Sequence, residues 1–313
     1  MYIADTHCDT LLARSLSGNS TNPFTQEGGP VVTPERLRAG GVTLQVCALF
    51  AGSVGPKGVG KDAPRAMADA EFAALPTLTD HGVRKVDSPF DAREGEVCLM
   101  LSIEGGEIIG DSLDDLRAYR KQGVRLFGLT WNHENALAYP HCGGGQHGLK
   151  PFGWEVVREL AHLGIAADVA HLGEGGFWDL IANAEKPPMT SHSCCRKLCG
   201  HTRNLTDDQI RALIDRGGWI GINFYTSFLT DTGHATTDTV ADHIAHIAEL
   251  GGIGNVGFGS DFDGISSAPD DLTHPGEIPN LLSTLRRRGL SDAEIEGVAG
   301  LNFLRYMKQF EEV

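Results

Sequence analysis

Eight short apolar segments recur along the chain, and most of them are followed by a stretch with helical spacing. They occupy 2–6, 43–50, 97–103, 125–130, 165–170, 188–191, 219–224 and 256–260. Several are nearly continuous in Val, Ile, Leu and Phe, which is typical of parallel strands that are buried on both faces. Alternation of strand and helix eight times over predicts a single α/β domain over 1–313, folded as a (β/α)8 barrel of the TIM type.

The segments between these strands carry the amphipathic spacing of helices. The clearest helical patterns lie at 114–122, 154–163, 207–215 and 239–250, with a further helical tail at 291–308. Four of them are followed by a glycine, where a left-handed residue ends a helix at low cost: Gly123, Gly164, Gly217 and Gly251. Ser291 and Glu294 fit a capping box at the start of the tail.

Composition and charge narrow the class of protein. The hydrophobic fraction of 41% is enough for a large core, and no run of 18 apolar residues predicts a membrane span. The formal charge of −15, from 26 basic and 41 acidic residues, argues against a nucleic-acid partner bound through its phosphates. Residues 1–7 have neither the basic head nor the apolar core of a signal peptide, so we expect a cytoplasmic protein.

Metal-type ligands follow several of the predicted strands. His7 and Asp9 close the first strand, and Glu104 ends the third. His171 and His192 end the fifth and sixth strands. Side chains at the carboxyl ends of barrel strands converge on one site, and nitrogen and oxygen donors suit a pair of divalent ions. We therefore expect a metal-dependent hydrolase with two zinc ions, although ligand type alone leaves other divalent metals open.

Each candidate ligand also has a structural interpretation. A lone His-x-Asp is most often structural, and a single histidine at a strand end is more often a satisfied core residue. For Glu104 the alternative to metal binding is pairing with a buried arginine. Cysteine ligation is a further alternative for Cys8 and for the Cys194-Cys195 pair. If His7 and Asp9 face the site, Cys8 points away, because alternate residues of a strand share a face. The seven cysteines are then free, buried thiols.

Two further positions have the chemistry to assist hydrolysis. Asp261 directly abuts the last strand, where an acid is placed to take a proton from water and pass it to a leaving amine. Asp263 would equally fix the turn at Gly264. Arg203 precedes a helix and its planar fork suits a substrate carboxylate, although spacing alone favours a surface salt bridge.

Two glycine-rich loops, 52–61 and 140–153, follow barrel strands and are expected at the rim of the site. A mobile surface loop is the simpler interpretation of each, and a substrate lid is the alternative.

Taken together, the motifs resemble the renal (membrane) dipeptidase family, binuclear zinc peptidases of the amidohydrolase superfamily. The resemblance covers nearly the whole chain and keeps the order of the family's motifs. It is carried by DTHCD at 5–9, SIEGG at 102–106, AH at 170–171, SHS at 191–193, TRNL at 202–205 and GSDFDG at 259–264.

The resemblance implies a metallo-dipeptidase in which a hydroxide that bridges two zinc ions attacks the peptide bond. His7 and Asp9 would bind the first zinc, His171 and His192 the second, and Glu104 would bridge both. By the same similarity, Asp261 would handle the proton and Arg203 would hold the C-terminal carboxylate of a dipeptide. A homodimer is a further expectation from the family.

The chain departs from the family in two ways. Mammalian members place a substrate-polarising histidine directly after the Leu-Thr of the fourth strand, whereas Trp131 follows Leu129-Thr130 here. Residues 131–135 look like a bacterial variant, in which His133 would supply the catalytic contact to the substrate from a shifted position. Mammalian members are also secreted and lipid-anchored, and we do not expect that here.

Other functions remain compatible with the same residues. The same metal centre would serve another amidohydrolase reaction, such as N-acyl-amino-acid deacylation or lactone opening. A non-catalytic binding barrel is the alternative from another class of protein.

Overall fold

A computed structural model of the chain describes residues 1–16, 29–50, 63–143 and 146–311. Within these ranges it contains nine strands, all in one parallel sheet. They are β1 (Ala4–Asp5), β2 (Leu44–Phe50), β3 (Arg84–Lys85), β4 (Cys98–Glu104), β5 (Val124–Gly128), β6 (Ala166–Asp168), β7 (Met189–Ser193), β8 (Trp219–Ile222) and β9 (Val256–Phe258).

Eight of these strands close into a barrel. β1 pairs with β9 on one side and β2 on the other, and β2 pairs with β4 from Leu44↔Cys98 to Phe50↔Glu104. The short β3 joins the start of β4 as an added strand. Each of the eight predicted apolar segments overlaps one barrel strand, so the predicted (β/α)8 barrel is confirmed. The sequence did not reveal β3, which has two residues, one of them exposed.

Helices alternate with the strands as predicted. They are α1 (Thr10–Ser15), α2 (Pro34–Ala39), α3 (Ala63–Ala74), α4 (Pro76–Thr79), α5 (Leu113–Lys121), α6 (Pro151–His162), α7 (Glu174–Asn183), α8 (Asp207–Asp215), α9 (Thr226–Leu229), α10 (Thr237–Glu249), α11 (Ile278–Arg287), α12 (Asp292–Glu296) and α13 (Asn302–Met307). The four predicted glycine caps all have positive φ, and the capping box of Ser291 and Glu294 is present. The predicted helical tail is broken by a kinked segment at Gly297–Leu301.

The amino-terminal end of the barrel is filled by side chains. Phe303, Tyr306 and Met307 of α13 pack under the barrel interior with Trp219 of β8, whose ring centroid lies 5.3 Å from that of Phe303. A second apolar layer lies between the strands and the surrounding helices. With this end filled, the carboxyl ends of the strands remain for a functional site.

Glycines let the strands approach each other just below those carboxyl ends. A Cβ atom on Gly221 would lie 2.0 Å from the carbonyl oxygen of Ser191, and one on Gly259 would lie 1.8 Å from the same oxygen. In the space that these glycines leave, the Thr6 hydroxyl shares its one proton between the carbonyl oxygens of Ser191, at 2.7 Å, and Phe258, at 2.9 Å. β1 and β7 are thereby held together although two strands separate them around the barrel.

In the parts of the chain that the structure describes, no helix combines the length and the apolar character needed to cross a bilayer. The predicted loop at 52–61 lies outside the described residues. The loop at 140–153 is described except for residues 144–145.

Candidate metal centre and substrate cavity

The five candidate ligands meet at the carboxyl end of the barrel. His7 Nε2 lies 3.9 Å from Asp9 Oδ2 and 3.7 Å from Glu104 Oε2. On the other side of Glu104, its Oε1 lies 2.9 Å from His171 Nε2 and 3.6 Å from His192 Nε2. All five side chains are buried or nearly so, and the rings of His7 and His192 stack with centroids 3.8 Å apart. Groups that are up to 185 residues apart in the sequence thus form one cluster.

Glu104 stands between two sets of donors. One carboxylate oxygen faces His7 and the other faces His171 and His192. Asp261 joins the first set, because its Oδ1 lies 3.7 Å from His7 Nε2 and it forms a ligand group with His7 and Asp9. A carboxylate with each oxygen directed to a different set of donors is placed to serve two ions.

Hydrogen bonds fix which ring nitrogens face the cluster. His171 Nδ1 donates to Asn132 Oδ1 at 2.8 Å, and His192 Nδ1 donates to Ser191 Oγ at 2.7 Å. Ser191 Oγ in turn donates to the buried carboxylate of Asp168. Both Nε2 atoms therefore carry lone pairs, yet they lie 3.1 Å from each other. Lone pairs crowded together in this way, beside a carboxylate, are the arrangement that a bound cation satisfies.

Orphaned polar atoms also fit a metal at this site. His7 Nε2 and Asp9 Oδ1 are buried and have no hydrogen-bond partner. Buried polar atoms without partners are costly in a folded protein, and metal ligation is one way to satisfy them. The donor set, three imidazoles and three carboxylates, suits zinc or a similar divalent ion.

Burial shifts the pKa values of the cluster away from their ordinary range. It raises the pKa of Glu104 and Asp9 well above normal, with neighbouring carboxylates adding to the effect, and raises the pKa of Asp261 to about 7. Burial lowers the pKa of His7 to about 3, and the charge of Arg203 acts in the same direction. The imidazoles are therefore neutral, as ligation requires. At Glu104 and Asp261 burial outweighs the charge of Arg203, which acts in the opposite direction, and a bound cation would favour their ionised form.

Two of the site residues have an uncommon backbone conformation. His171 and Asp261 have φ angles of 64° and 66°, in the left-handed region that non-glycine residues seldom adopt. Each stands just past a strand, where this conformation turns the side chain back over the barrel. Such positions are costly and persist where the surrounding structure enforces them, often at functional sites.

Buried aspartates hold the neighbouring strand ends in register. Asp5 of β1 accepts hydrogen bonds from the backbone N–H of Ser260, at 2.8 Å, and from its hydroxyl, at 2.5 Å. Asp168 of β6 accepts the same pair of bonds from Ser191 of β7. Because each serine directly precedes a site residue, these two contacts position Asp261 and His192.

Asp261 and Asp263 have different surroundings. Asp261 faces the cluster, and its Oδ2 accepts a hydrogen bond of 2.8 Å from Asn223 Nδ2. Asp263 instead accepts the backbone N–H groups of Val31, at 2.6 Å, and Val32, at 3.2 Å. The carboxylate of Asp263 is therefore occupied in fixing the backbone at 31–32.

Arg203 is buried rather than placed in a surface salt bridge. It is 4% exposed, and its guanidinium donates to Ser193 Oγ at 2.9 Å and to the carbonyl oxygen of His192 at 3.0 Å. Its Nε has no partner. Among the described residues no carboxylate lies within ion-pair distance of this guanidinium, which leaves a buried positive charge beside the cluster. The alternative pairing of Glu104 with a buried arginine is likewise not formed in this part of the structure.

The structure places His133 at the surface of the site. Its side chain is exposed, and its ring centroid lies 5.6 Å from that of Trp131. Residues that the sequence did not single out lie closer to the cluster. His141, from the loop at 140–153, contacts Asn132 Oδ1 at 3.2 Å and Thr202 Oγ1 at 3.0 Å, so this part of the loop is at the rim. The polar residue at 132, just past β5, was the signal available for Asn132.

The cysteines lie apart from the ligand groups. Cys8 Sγ faces Cys47 Sγ at 3.7 Å on the outer side of the barrel, and Cys194 Sγ lies against the carbonyl oxygen of Asn223. All seven cysteines are free and six of them are buried, but Cys142 is exposed, so the expectation of a buried thiol is wrong at that position. None of the seven belongs to a ligand group among the described residues.

Two cavities flank the cluster, and both include His171. A polar cavity of about 130 Å³ is lined by groups that include His141, Ser193, Thr202 and Arg203. A second cavity of about 150 Å³ has Asp9, Glu104 and Asp261 on one side and mostly apolar side chains around them. The arrangement places a buried cation and an apolar recess beside one ligand cluster.

Comparison with known proteins agrees with this geometry. The model of the membrane dipeptidase family, peptidase family M19, matches residues 1–313. An uncharacterized dipeptidase of Schizosaccharomyces pombe is 37% identical over 226 residues, which cover 70% of this chain and 54% of that protein. An uncharacterized protein from the pqqA 5′ region of Klebsiella pneumoniae is 34% identical over 227 residues, covering 69% of this chain and 83% of that protein. The chain thus spans about half the length of the first of these relatives.

Solved structures share the fold over the whole chain. A metallopeptidase of Rhodobacter sphaeroides, liganded with a phosphinate mimic of L-Ala-D-Ala, superimposes with a TM-score of 0.89 at 24% identity and covers 99% of both chains. A probable dipeptidase of Pseudomonas aeruginosa superimposes with a TM-score of 0.87 at 21% identity, covering 100% of this chain and 96% of the other. Because the family model spans every residue, the chain belongs to the membrane dipeptidase family, peptidase family M19.

Proposed function

We propose that the chain is a zinc-dependent dipeptidase that acts as one barrel domain over 1–313. The observation that carries the proposal is the position of Glu104, whose two carboxylate oxygens face different sets of donors. His7 and Asp9 would hold one ion, His171 and His192 the other, with Glu104 shared between them. Bound there, two ions would lower the pKa of water towards about 7 and supply a hydroxide nucleophile at neutral pH.

The remaining site residues position the substrate and move a proton. Arg203 would hold the carboxylate of a dipeptide, since it is a buried cation with an unpartnered Nε. Asp261 would take the proton of the attacking water and return it to the leaving amine, since its carboxylate faces the cluster and is oriented by Asn223. A carboxylate clamp at a fixed distance from the cluster selects the peptide bond next to a free C-terminus, and a closed pocket around the amino-terminal residue would favour dipeptides over longer chains.

Three further expectations stay predictions. His133 would contact the substrate as a catalytic and binding residue only if the exposed segment around it turns inward, and His133→Ala tests this role directly. A cytoplasmic location and a homodimer were expected from the sequence and the family resemblance, and each needs its own measurement.

The decisive experiment measures metal content and substrate range together on the purified chain. Elemental analysis is expected to show two zinc ions per chain, and removal of metal by a chelator is expected to abolish hydrolysis of L,L and L,D dipeptides. N-acetyl amino acids and lactones serve as the comparison substrates. Turnover of an N-acetyl amino acid or a lactone that is faster than turnover of dipeptides would indicate another amidohydrolase reaction. A metal content below one ion per chain would favour a non-catalytic binding barrel.

A further inference from the structure

The apolar cavity beside the cluster has an unusually uniform wall. Its side chains away from the ligands are almost all aromatic or aliphatic: Leu12, Phe50, Trp131, Tyr225, Phe228 and Ile265. They come from segments that follow or end five different barrel strands, so the wall is built by the barrel as a whole. A recess of this kind takes apolar groups and excludes charged ones, which would lose their hydration there.

The order of strands decides which end of a dipeptide reaches the Phe50 side of this recess. The Phe228 side lies near Arg203, whose guanidinium carbon is 5.9 Å from the centroid of the Phe228 ring. In the ring of eight barrel strands, β2 and β7 are four strands apart and therefore opposite. Arg203 follows β7, whereas Phe50 is the last residue of β2. With the substrate carboxylate at Arg203 and the scissile carbonyl at the central cluster, the amino-terminal residue extends towards Phe50.

Trp131 defines the inner wall of the recess at that end. Its ring meets the ring of Phe50 edge to face, with centroids 5.0 Å apart, and lies 6.2 Å from the ring of His171. Its neighbour Asn132 is anchored by His171 and His141, which fixes the backbone next to Trp131. The indole therefore lies between His171 of the ligand cluster and Phe50 of the recess. The side chain of an amino-terminal residue would be directed towards it.

We propose that Trp131, packed on Phe50, is the specificity-determining residue for the amino-terminal side chain of the substrate, and that it selects apolar side chains. The inference rests on the proposed dipeptidase function. Acidic side chains are disfavoured at this position, because a carboxylate would lose its hydration against the apolar wall of the recess. The Trp131 indole would contact the amino-terminal side chain by packing alone. Removing the indole should therefore reduce the preference for large apolar side chains, and should affect less the hydrolysis of a dipeptide whose side chain is too small to reach it.

The test compares kcat/KM for Ala-Ala, Leu-Ala, Asp-Ala and Ala-Leu with the zinc-loaded enzyme. The expected ratio of Leu-Ala to Ala-Ala is at least about tenfold, since each buried methylene contributes about tenfold or more to selectivity. Trp131→Ala is expected to lower that ratio several-fold, and Trp131→Phe to give an intermediate value. Trp178→Ala is the matched control, because Trp178 lies on the outer helix α7 and is 37% exposed.

The outcomes separate the two proposals. Hydrolysis of dipeptides with a Leu-Ala to Ala-Ala ratio near one, or a ratio that Trp131→Ala leaves unchanged, overturns the inference but keeps the dipeptidase. A preference that follows the carboxyl-terminal residue, seen as fast Ala-Leu and slow Leu-Ala, overturns the orientation. If no dipeptide in the panel is hydrolysed by the zinc-loaded enzyme, the proposed function itself fails and takes this inference with it.

Discussion

Asn132 Oδ1 accepts a hydrogen bond of 2.8 Å from His171 Nδ1, and this contact settles which nitrogen of His171 faces the cluster. The same oxygen lies 3.2 Å from His141 Nε2, so one amide connects a candidate ligand to the rim of the site. A ligand histidine whose other nitrogen is held in this way keeps its tautomer and ring orientation before any metal arrives. Asn132 therefore supports the candidate metal site without being one of its ligands.

Replacing Asn132 by Ala is expected to weaken metal binding about 10- to 100-fold, the range typical of partners that orient a ligand. Competition with a chromophoric chelator measures the affinity without relying on activity. Asn280→Ala is the control, because Asn280 is exposed on α11 and donates to the carbonyl oxygen of Asp271, away from the cluster. Equal affinities for Asn132→Ala and the control would show that His171 needs no such support.

The glycine at 221 is predicted to be essential to the shape of the site. In Gly221→Ala, the new Cβ would lie 2.0 Å from the carbonyl oxygen of Ser191 and 2.6 Å from Thr6 Oγ1, so β1 and β7 must separate. Overpacking of this kind costs about 1–3 kcal/mol, more than the small gain that alanine brings by restricting the unfolded chain. Urea unfolding measures the loss of stability.

Gly200→Ala provides the matched comparison, because nothing lies within 4 Å of a Cβ at that position. The separation in Gly221→Ala should also draw His7 away from His192 and weaken metal binding. A Gly221→Ala protein as stable as Gly200→Ala would mean that the strands do not depend on this close approach.

The barrel and the ligand cluster were predictable from the sequence because their signals are local. A strand buried on both faces leaves a continuous apolar run, and a polar residue at its end stands out, as Glu104 does after Leu101, Ser102 and Ile103. Because the carboxyl ends of parallel barrel strands converge, His171 and His192 are then expected at the same site.

The supporting contacts were not predictable in the same way, because they depend on where loops return to the barrel. Nothing in the sequence around His141 indicates that it lies 3.0 Å from Thr202, 61 residues away. Asp168 did carry a usable signal, since a carboxylate in the apolar run 165–170 must find partners when buried. Trp131 and Asn132 were noted only as a departure from the family pattern, and their contacts emerge from the fold.

Asp261→Asn is expected to lower kcat by about 10²- to 10⁴-fold, the contribution typical of a positioned proton acceptor, while zinc content stays near two per chain. The amide keeps the shape of the side chain but cannot take the proton. Asp270→Asn, at an exposed position, is the control. Unchanged turnover would remove Asp261 from proton transfer. Loss of zinc together with activity would instead place Asp261 among the ligands, with His7 and Asp9, which lie within reach.

Arg203→Ala is expected to raise KM for dipeptides about 10- to 100-fold, since a hydrogen bond to a charged group is worth about 1.5–3 kcal/mol. Amides that lack a free carboxylate should show a much smaller change, because they never used the guanidinium. Arg211→Ala, on the exposed face of α8, controls for loss of a positive charge. Equal effects of Arg203→Ala on both kinds of substrate would contradict the clamp.

Glu71 links stability to pH outside the cluster. It is fully buried on α3, where one carboxyl oxygen accepts the backbone N–H of Phe50 at 2.7 Å and the other has no partner. Burial raises the pKa of Glu71 well above 4.5, with a further contribution from the charge of Asp9. Because the folded pKa exceeds the unfolded one, the folded state holds a proton that the unfolded chain has released. This contribution is complete below the unfolded pKa and is lost as pH rises towards the folded pKa, by about 1.4 kcal/mol per pH unit.

Glutamine does not titrate, so Glu71→Gln removes the pH dependence that Glu71 gives to the free energy of unfolding. The variant is therefore expected to gain stability relative to the wild type as pH rises from about 5 to 8. The amide still accepts the N–H of Phe50, which keeps the end of β2 in place beside the apolar recess. Urea unfolding of both proteins at matched metal content gives the difference at each pH, and Glu155→Gln on the exposed surface of α6 is the control. A difference between Glu71→Gln and the wild type that stays constant across this range would show that Glu71 is ionised in the folded protein, with its charge stabilised by the backbone N–H of Phe50.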